Sequence, residues 1–174
     1  MRPSLPLDPP YPPDLPDHRF VPRRYRSRAL AFAGLAIVAL TMSRPSHADC
    51  FDDAATYHHV NADVLRAIAW EESNNRPDAR RTNTNGSVDY GLMQINSVHL
   101  EALARFGIGT DDLMVPCKSV YIAAWHLQRQ MAKYGNTWAA IGAYHSATPA
   151  LRDAYATRIA AKLNAIRDAR ENRR

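Results

Sequence analysis

Cys50 and Cys117 are the only cysteines in this chain of 174 residues, and both follow a segment laid out like an export signal. A basic cluster, Arg23, Arg24, Arg26 and Arg28, precedes the apolar run "ALAFAGLAIVALTM" at residues 29–42. A small-residue site ending Ser46-His47-Ala48 comes next. Basic flank, short apolar stretch and small-residue site are the parts of a cleavable secretory signal. The apolar run falls short of the roughly 20 residues that a membrane span needs. An even cysteine count in an exported chain predicts one disulfide, here Cys50–Cys117. Closing a loop of 67 residues, it would add about 4 kcal/mol in the chain-entropy picture and tie the start of the exported chain to its middle.

Eight of the twelve prolines lie in residues 1–22, a composition that does not build a packed core. A signal of this kind ordinarily starts at its basic region, which places the effective start near Val21. Cleavage after Ala48 leaves residues 49–174 in the periplasm, and the charge changes with it. Of 22 Lys/Arg and 17 Asp/Glu, seven and three leave with the leader, so the net charge falls from +5 to +1. A nucleic-acid binder is therefore not indicated, and the remaining positive charge gathers in the tail. The expected organisation is a leader at 1–48, a domain at 49–148 and an amphipathic basic helix at 149–174, packed on the domain or trailing it.

Within the exported part, helix and turn signals alternate. Residues 52–72 read as helix, broken in two near "YHHVNAD" with Asn61 or Asp63 as the second N-cap. Asn85-Gly86, in a polar stretch, signals a small hairpin. "LMQINSVHLEALARFG" reads as a loop and short helix ending at Gly107, residues 119–134 as a longer helix stopped by Gly135, and "TWAAIGAYH" as a short one. Thr148-Pro149 starts the last helix, where Leu151, Tyr155, Ile159, Leu163 and Ile166 recur at spacings of three and four. The fold class is mainly α: one compact helical domain with a small hairpin region.

"AWEES" sets Glu71 beside Glu72 at a helix end, and neighbours on a helix point about 100° apart. Glu72 lies four residues from Ile68 and seven from Leu65, near the apolar stripe, whereas Glu71 turns toward solvent. An acid on that stripe either holds its proton at a cleft wall or folds out to pair with an arginine such as Arg76 or Arg80. The other acids between here and Gln94 are Asp78 and Asp89. His58-His59, His99 and His126 lack metal-ligand spacing, so no metal or other cofactor is expected.

In order, "AIAWEES", "DYGLMQIN" and "GAYHSA" resemble the lytic transglycosylases related to the soluble lytic enzyme, which have a lysozyme-like domain. Those carry a glutamate followed by serine at a helix end, a Gly-Leu-Met-Gln segment and an Ala-Tyr-Asn segment. Residues 50–150 look closest to the small specialised members that accompany type III and type IV secretion, conjugation and pilus assembly. The resemblance implies Glu72, directly before Ser73, as the catalytic acid, with Ser73, Gly91, Met93, Gln94 and Tyr144 at the substrate. Tyr144 would orient the Glu72 carboxyl group, and Gly91 would let the backbone approach the glycan. His145 departs from the family's asparagine but keeps the capacity to hydrogen-bond sugar. The implied partners are peptidoglycan glycan strands and components of a secretion or pilus machine, with the protein a monomer. Two other readings keep the fold: a catalytically weak peptidoglycan-binding assembly factor, and a muramidase that uses water.

Overall fold

The computed structural model describes residues 47–173. The expected leader lies almost wholly outside them, and among the described residues no helix is long and apolar enough to cross a membrane. Two helices open this part, α1 (His47–His58) and α2 (Ala62–Ser73). The break between them falls where the polar stretch predicted, and Asn61 supplies the cap: its side chain accepts from the amides of Asp63 and Val64 at 2.9 and 3.1 Å. Three short strands follow, β1 (Arg80–Thr82), β2 (Val88–Tyr90) and β3 (Ile95–Asn96), antiparallel in that order. The Asn83–Ser87 turn joins the first two, closed by Asn83 N–H on the Ser87 carbonyl at 2.8 Å.

A 3-10 turn (Ser97–His99) leads into α3 (Leu100–Ala104), then α4 (Thr110–Leu113) and the long α5 (Pro116–Tyr134). α5 starts at Pro116, earlier than the expected Ser119, because proline fits the first helical position and loses no bond there. It runs through the middle of the domain, with Val120, Ile122, Ala123, Ala124 and Leu127 buried. Its alanines let α1, α2, α4 and α6 (Trp138–Ala143) approach closely. Cys50 on α1 and Cys117 on α5 form the expected disulfide, Cα atoms 5.4 Å apart.

α7 (Pro149–Glu171) packs on α2 and α6, burying Tyr155, Ile159 and Leu163. Leu151, placed on the same stripe by its spacing, is 54% exposed. Periodicity identifies a helix face but not where along it the neighbouring helix begins. Thr148 occupies the cap position, yet its side chain makes no capping bond. The basic residues of this helix are partly taken up at the seam with α2. Arg170 grips Asp63 with two bonds of 2.7 and 2.8 Å, while Arg158 and Lys162 meet Glu71 at 2.6 and 3.3 Å.

Candidate active site

A cleft of about 320 Å³ runs between the sheet and the helices. One wall is polar and comes from a single row across the strands. Arg81 stands opposite Asp89, and Asp89 opposite Asn96, so the three side chains share one face of the sheet. Asn83, Asn85 and Ser87 from the hairpin turn extend this wall, while Leu103, Ile122 and Trp125 form an apolar one. Glu72, at the end of α2, enters the same cleft.

Tyr155 of α7 donates its hydroxyl to Glu72 Oε1 at 2.5 Å. Burial raises the Glu72 carboxyl from its ordinary 4.5 to about 7; the Tyr155 bond and the Arg81 charge oppose the shift, while Glu71 and Asp89 add to it. A carboxyl poised there is protonated in a large share of molecules at neutral pH and can both give and take a proton. Asp89 is differently placed. Its Oδ2 accepts from Arg81 Nε (3.2 Å), Arg81 Nη2 (2.9 Å) and Asn83 Nδ2 (3.0 Å), and Oδ1 from Asn96 Nδ2 at 2.6 Å. Four N–H donors thus occupy this buried carboxylate.

The other residues implied by resemblance separate into two groups. Gln94, Tyr144 and His145 line the cleft with Glu72. Gln94 has φ +47, and its side-chain amide donates to the carbonyls of Ala79 (3.1 Å) and Gly91 (2.9 Å), so both its donors serve the loop. The Tyr144 hydroxyl donates to the Met93 carbonyl at 3.1 Å and not to Glu72 as expected; Tyr155 makes that bond. His145 stacks on Tyr155, ring centroids 4.9 Å apart and planes 2° from parallel.

Ser73, Gly91 and Met93 do not line the cleft, and each has another place in the fold. The Ser73 hydroxyl is buried and fully engaged, its one hydrogen facing Leu92 O (2.7 Å) with Ala69 O also in reach (3.1 Å), while it accepts from Arg76 N–H. It straps the end of α2 to the loop after β2. Met93 is wholly buried, and only its backbone reaches toward the site, through Tyr144. Gly91 (φ +70) makes room for α4, since a Cβ there would sit 2.0 Å from the Leu113 carbonyl oxygen. Gly91→Ala is expected to destabilise the fold by about 3 kcal/mol through strain and overlap. Chemical denaturation would measure this, and a cost below about 1 kcal/mol would mean that the loop and α4 separate easily.

Three histidines, His99, His126 and His145, line the cleft. Burial lowers all three; His126 falls to about 4, with the nearby His99 contributing, and Arg158 and Arg81 help to lower His145. Each is thus neutral at pH 7 and adds no charge opposite the protonated Glu72. Among the described residues no cluster of three or more metal-ligating side chains occurs. Tyr155 was the residue that sequence reasoning left out of the site, because its spacing with Ile159 and Leu163 marks it as core. A buried tyrosine needs a partner for its hydroxyl, and that need was the available signal.

Residues 49–166 match the transglycosylase SLT domain. The chain belongs to the transglycosylase SLT family. Membership gives it the lysozyme-like helical fold with its small sheet, and the activity of a peptidoglycan lytic transglycosylase. It is similar to the X polypeptide of Escherichia coli strain K12, 40% identical over 114 residues, which are 64% of this chain and 68% of that one. Invasion protein IagB of Salmonella typhimurium strain SL1344 is 37% identical over 130 residues, covering 74% of this chain and 81% of its own. Protein IpgF of Shigella flexneri is 42% identical over 102 residues, 58% and 67% of the two chains.

Proposed function

We propose that this SLT domain cleaves the β-1,4 bond between N-acetylmuramic acid and N-acetylglucosamine, with Glu72 as its single catalytic group. Protonated Glu72 donates to the linking oxygen, and the muramic acetamido carbonyl supports the positive charge developing at C1. Glu72, now a carboxylate, takes the proton of the C6 hydroxyl of that same sugar. The hydroxyl oxygen attacks C1 and closes a 1,6-anhydro ring, so the bond is broken without consuming water. The nucleophile belongs to the substrate, and holding the sugar in one pose replaces activation of a water.

The contrast between the two cleft carboxyl groups carries this reading. Glu72 retains its proton near neutrality, whereas Asp89 is held by four N–H donors and is poorly placed to activate water as a muramidase would require. The amide-bearing wall of Asn83, Asn85 and Asn96 suits the N-acetyl groups of the glycan. The disulfide and the leader pattern support a periplasmic location. Similarity to an invasion protein supports service to a secretion or pilus machine, for which the wall is opened locally.

Digestion of purified cell-wall sacculi, read by mass spectrometry of the released fragments, tests the reaction. Anhydro-muramic ends, one water lighter than reducing ends and missing from a Glu72→Gln digest, are the expected product. Reducing ends would assign a muramidase instead. Binding to sacculi with no release would assign an assembly factor.

His145 stands where the family has asparagine, and it adds a group that gains charge on the acid side. His145→Asn is expected to raise the ratio of the rate at pH 5 to that at pH 7 by about threefold, because the variant has no imidazole to protonate against Tyr155. An unchanged pH–rate profile would remove His145 from the chemistry.

A further inference from the structure

Glu71 and Glu72 are adjacent on α2, and both are gripped by α7. Tyr155 donates its hydroxyl to Glu72, and one turn later Arg158 Nε meets Glu71 Oε1 at 2.6 Å. The Arg158 guanidinium also lies over the Tyr155 ring, 5.4 Å from its centroid. The contacts close a ring: Glu71 to Arg158, Arg158 to Tyr155, Tyr155 to Glu72, and back along the α2 backbone. Lys162 extends the grip, 3.3 Å from Glu71 Oε2 and 4.7 Å from the Trp70 ring centroid. Glu71 is therefore not the solvent-side neighbour that its helix angle suggested. Burial pushes its carboxyl upward, but the bonds to Arg158 and Lys162 outweigh that and hold it ionised.

A phenolic hydroxyl sits at the end of a long side chain, so a small rotation of α7 about its axis would carry it out of reach of Glu72. The apolar face formed by Tyr155, Ala156, Ile159 and Leu163, and the stack of Tyr155 on His145, oppose such a rotation through packing. A directional ion pair one turn away resists it directly.

We infer that Arg158 is a positioning residue of this site: by bridging Glu71 and the Tyr155 ring, it keeps the Tyr155 hydroxyl on Glu72. The inference rests on the reading of Glu72 as the catalytic acid. Arg158 touches neither Glu72 nor the cleft and acts through Tyr155. Glu72 is also faced by Arg81 from β1, Asp89 from β2, Tyr144 after α6 and His145 beside it. None of these facing residues is substituted below; Arg158→Gln also removes a charge that helps to keep His145 neutral, so the His145 ring is titrated alongside Glu72.

The test follows the Glu72 side-chain carboxyl by carbon-13 NMR titration in the intact oxidised protein, with turnover on sacculi measured in parallel. Tyr155→Phe removes a bond that favours the ionised form and is expected to raise the Glu72 midpoint by about one pH unit. Arg158→Gln is expected to raise it by about half a unit, and the double variant to rise no further than Tyr155→Phe alone. Arg170→Gln breaks the same kind of bridge between the same helices, far from the cleft, and should lower thermal stability without moving the midpoint. The inference is overturned if Arg158→Gln leaves the midpoint in place. It is equally overturned if the two shifts add, as a through-space charge effect would, or if Arg170→Gln moves Glu72 as much. Should Glu72→Gln retain turnover, the catalytic reading fails separately, while the titration still decides whether Arg158 positions Tyr155.

Discussion

Glu72→Gln is expected to reduce release of glycan fragments by at least about a thousandfold, because the amide cannot deliver the proton that breaks the glycosidic bond. The same substitution should make the protein more stable above neutrality. The Glu72 carboxyl stands at about 7 in the fold against an ordinary 4.5, with burial the main cause. Between those values the native state keeps a proton that the unfolded chain has released, so stability falls as pH rises from 4.5 through 7. The penalty is fully present above the folded value and absent below the unfolded one. Glutamine never ionises and can still accept from Tyr155. The variant should therefore match the parent near pH 4 and gain on it with rising pH, levelling off at about 3 kcal/mol, or on the order of 10 °C in Tm. Thermal melts of both proteins across pH 4 to 9 measure this. A constant difference across the range would mean that Glu72 is ordinarily acidic and would remove it as the proton donor.

Helix geometry leaned toward Glu72, because it continues the buried stripe that Leu65 and Ile68 define, but its choice over Glu71 rested on the resemblance, in which the acid directly precedes a serine. The disulfide followed from the even cysteine count behind an export-like leader, and most helices from local signals, including the break before Asn61 and the start at Thr148-Pro149. What escaped depends on contacts between distant segments. Tyr155 looks like any apolar-face residue until α7 is laid against α2, 83 residues back along the chain. Gly91 looks like a glycan-facing turn until α4 passes 2.0 Å from where its Cβ would stand. α4 and β3 themselves, four and two residues long, are too short to leave a periodic signal. Ser73 shows the limit of motif transfer. Its place beside Glu72 suggested contact with sugar, but its hydroxyl holds the helix end to the loop that carries Gln94.

Replacing both cysteines by serine is expected to cost about 4 kcal/mol of stability, lowering Tm by roughly 15 °C, while turnover per folded molecule at 20 °C stays within about twofold. The two halves of this expectation have separate causes. The bond spans 67 residues, so its loss mainly frees the unfolded chain. In the native state α1 keeps its own hold on the domain through buried Phe51, Ala54 and Ala55, which pack without help from the sulfur atoms. None of its residues lines the cleft, so Glu72, Tyr155 and Arg158 should remain in place. Urea denaturation of oxidised protein, reduced protein and the double serine variant measures the first half, and sacculus digestion at 20 °C the second. Loss of activity in a variant that is still folded would show that α1 sets the position of α2 and hence of Glu72. A stability cost below about 1 kcal/mol would show that the reduced chain already holds α1 against α5, leaving little loop entropy for the disulfide to remove. If the full cost is found, a reducing compartment would leave the domain marginal, and its stability would then depend on reaching an oxidising one.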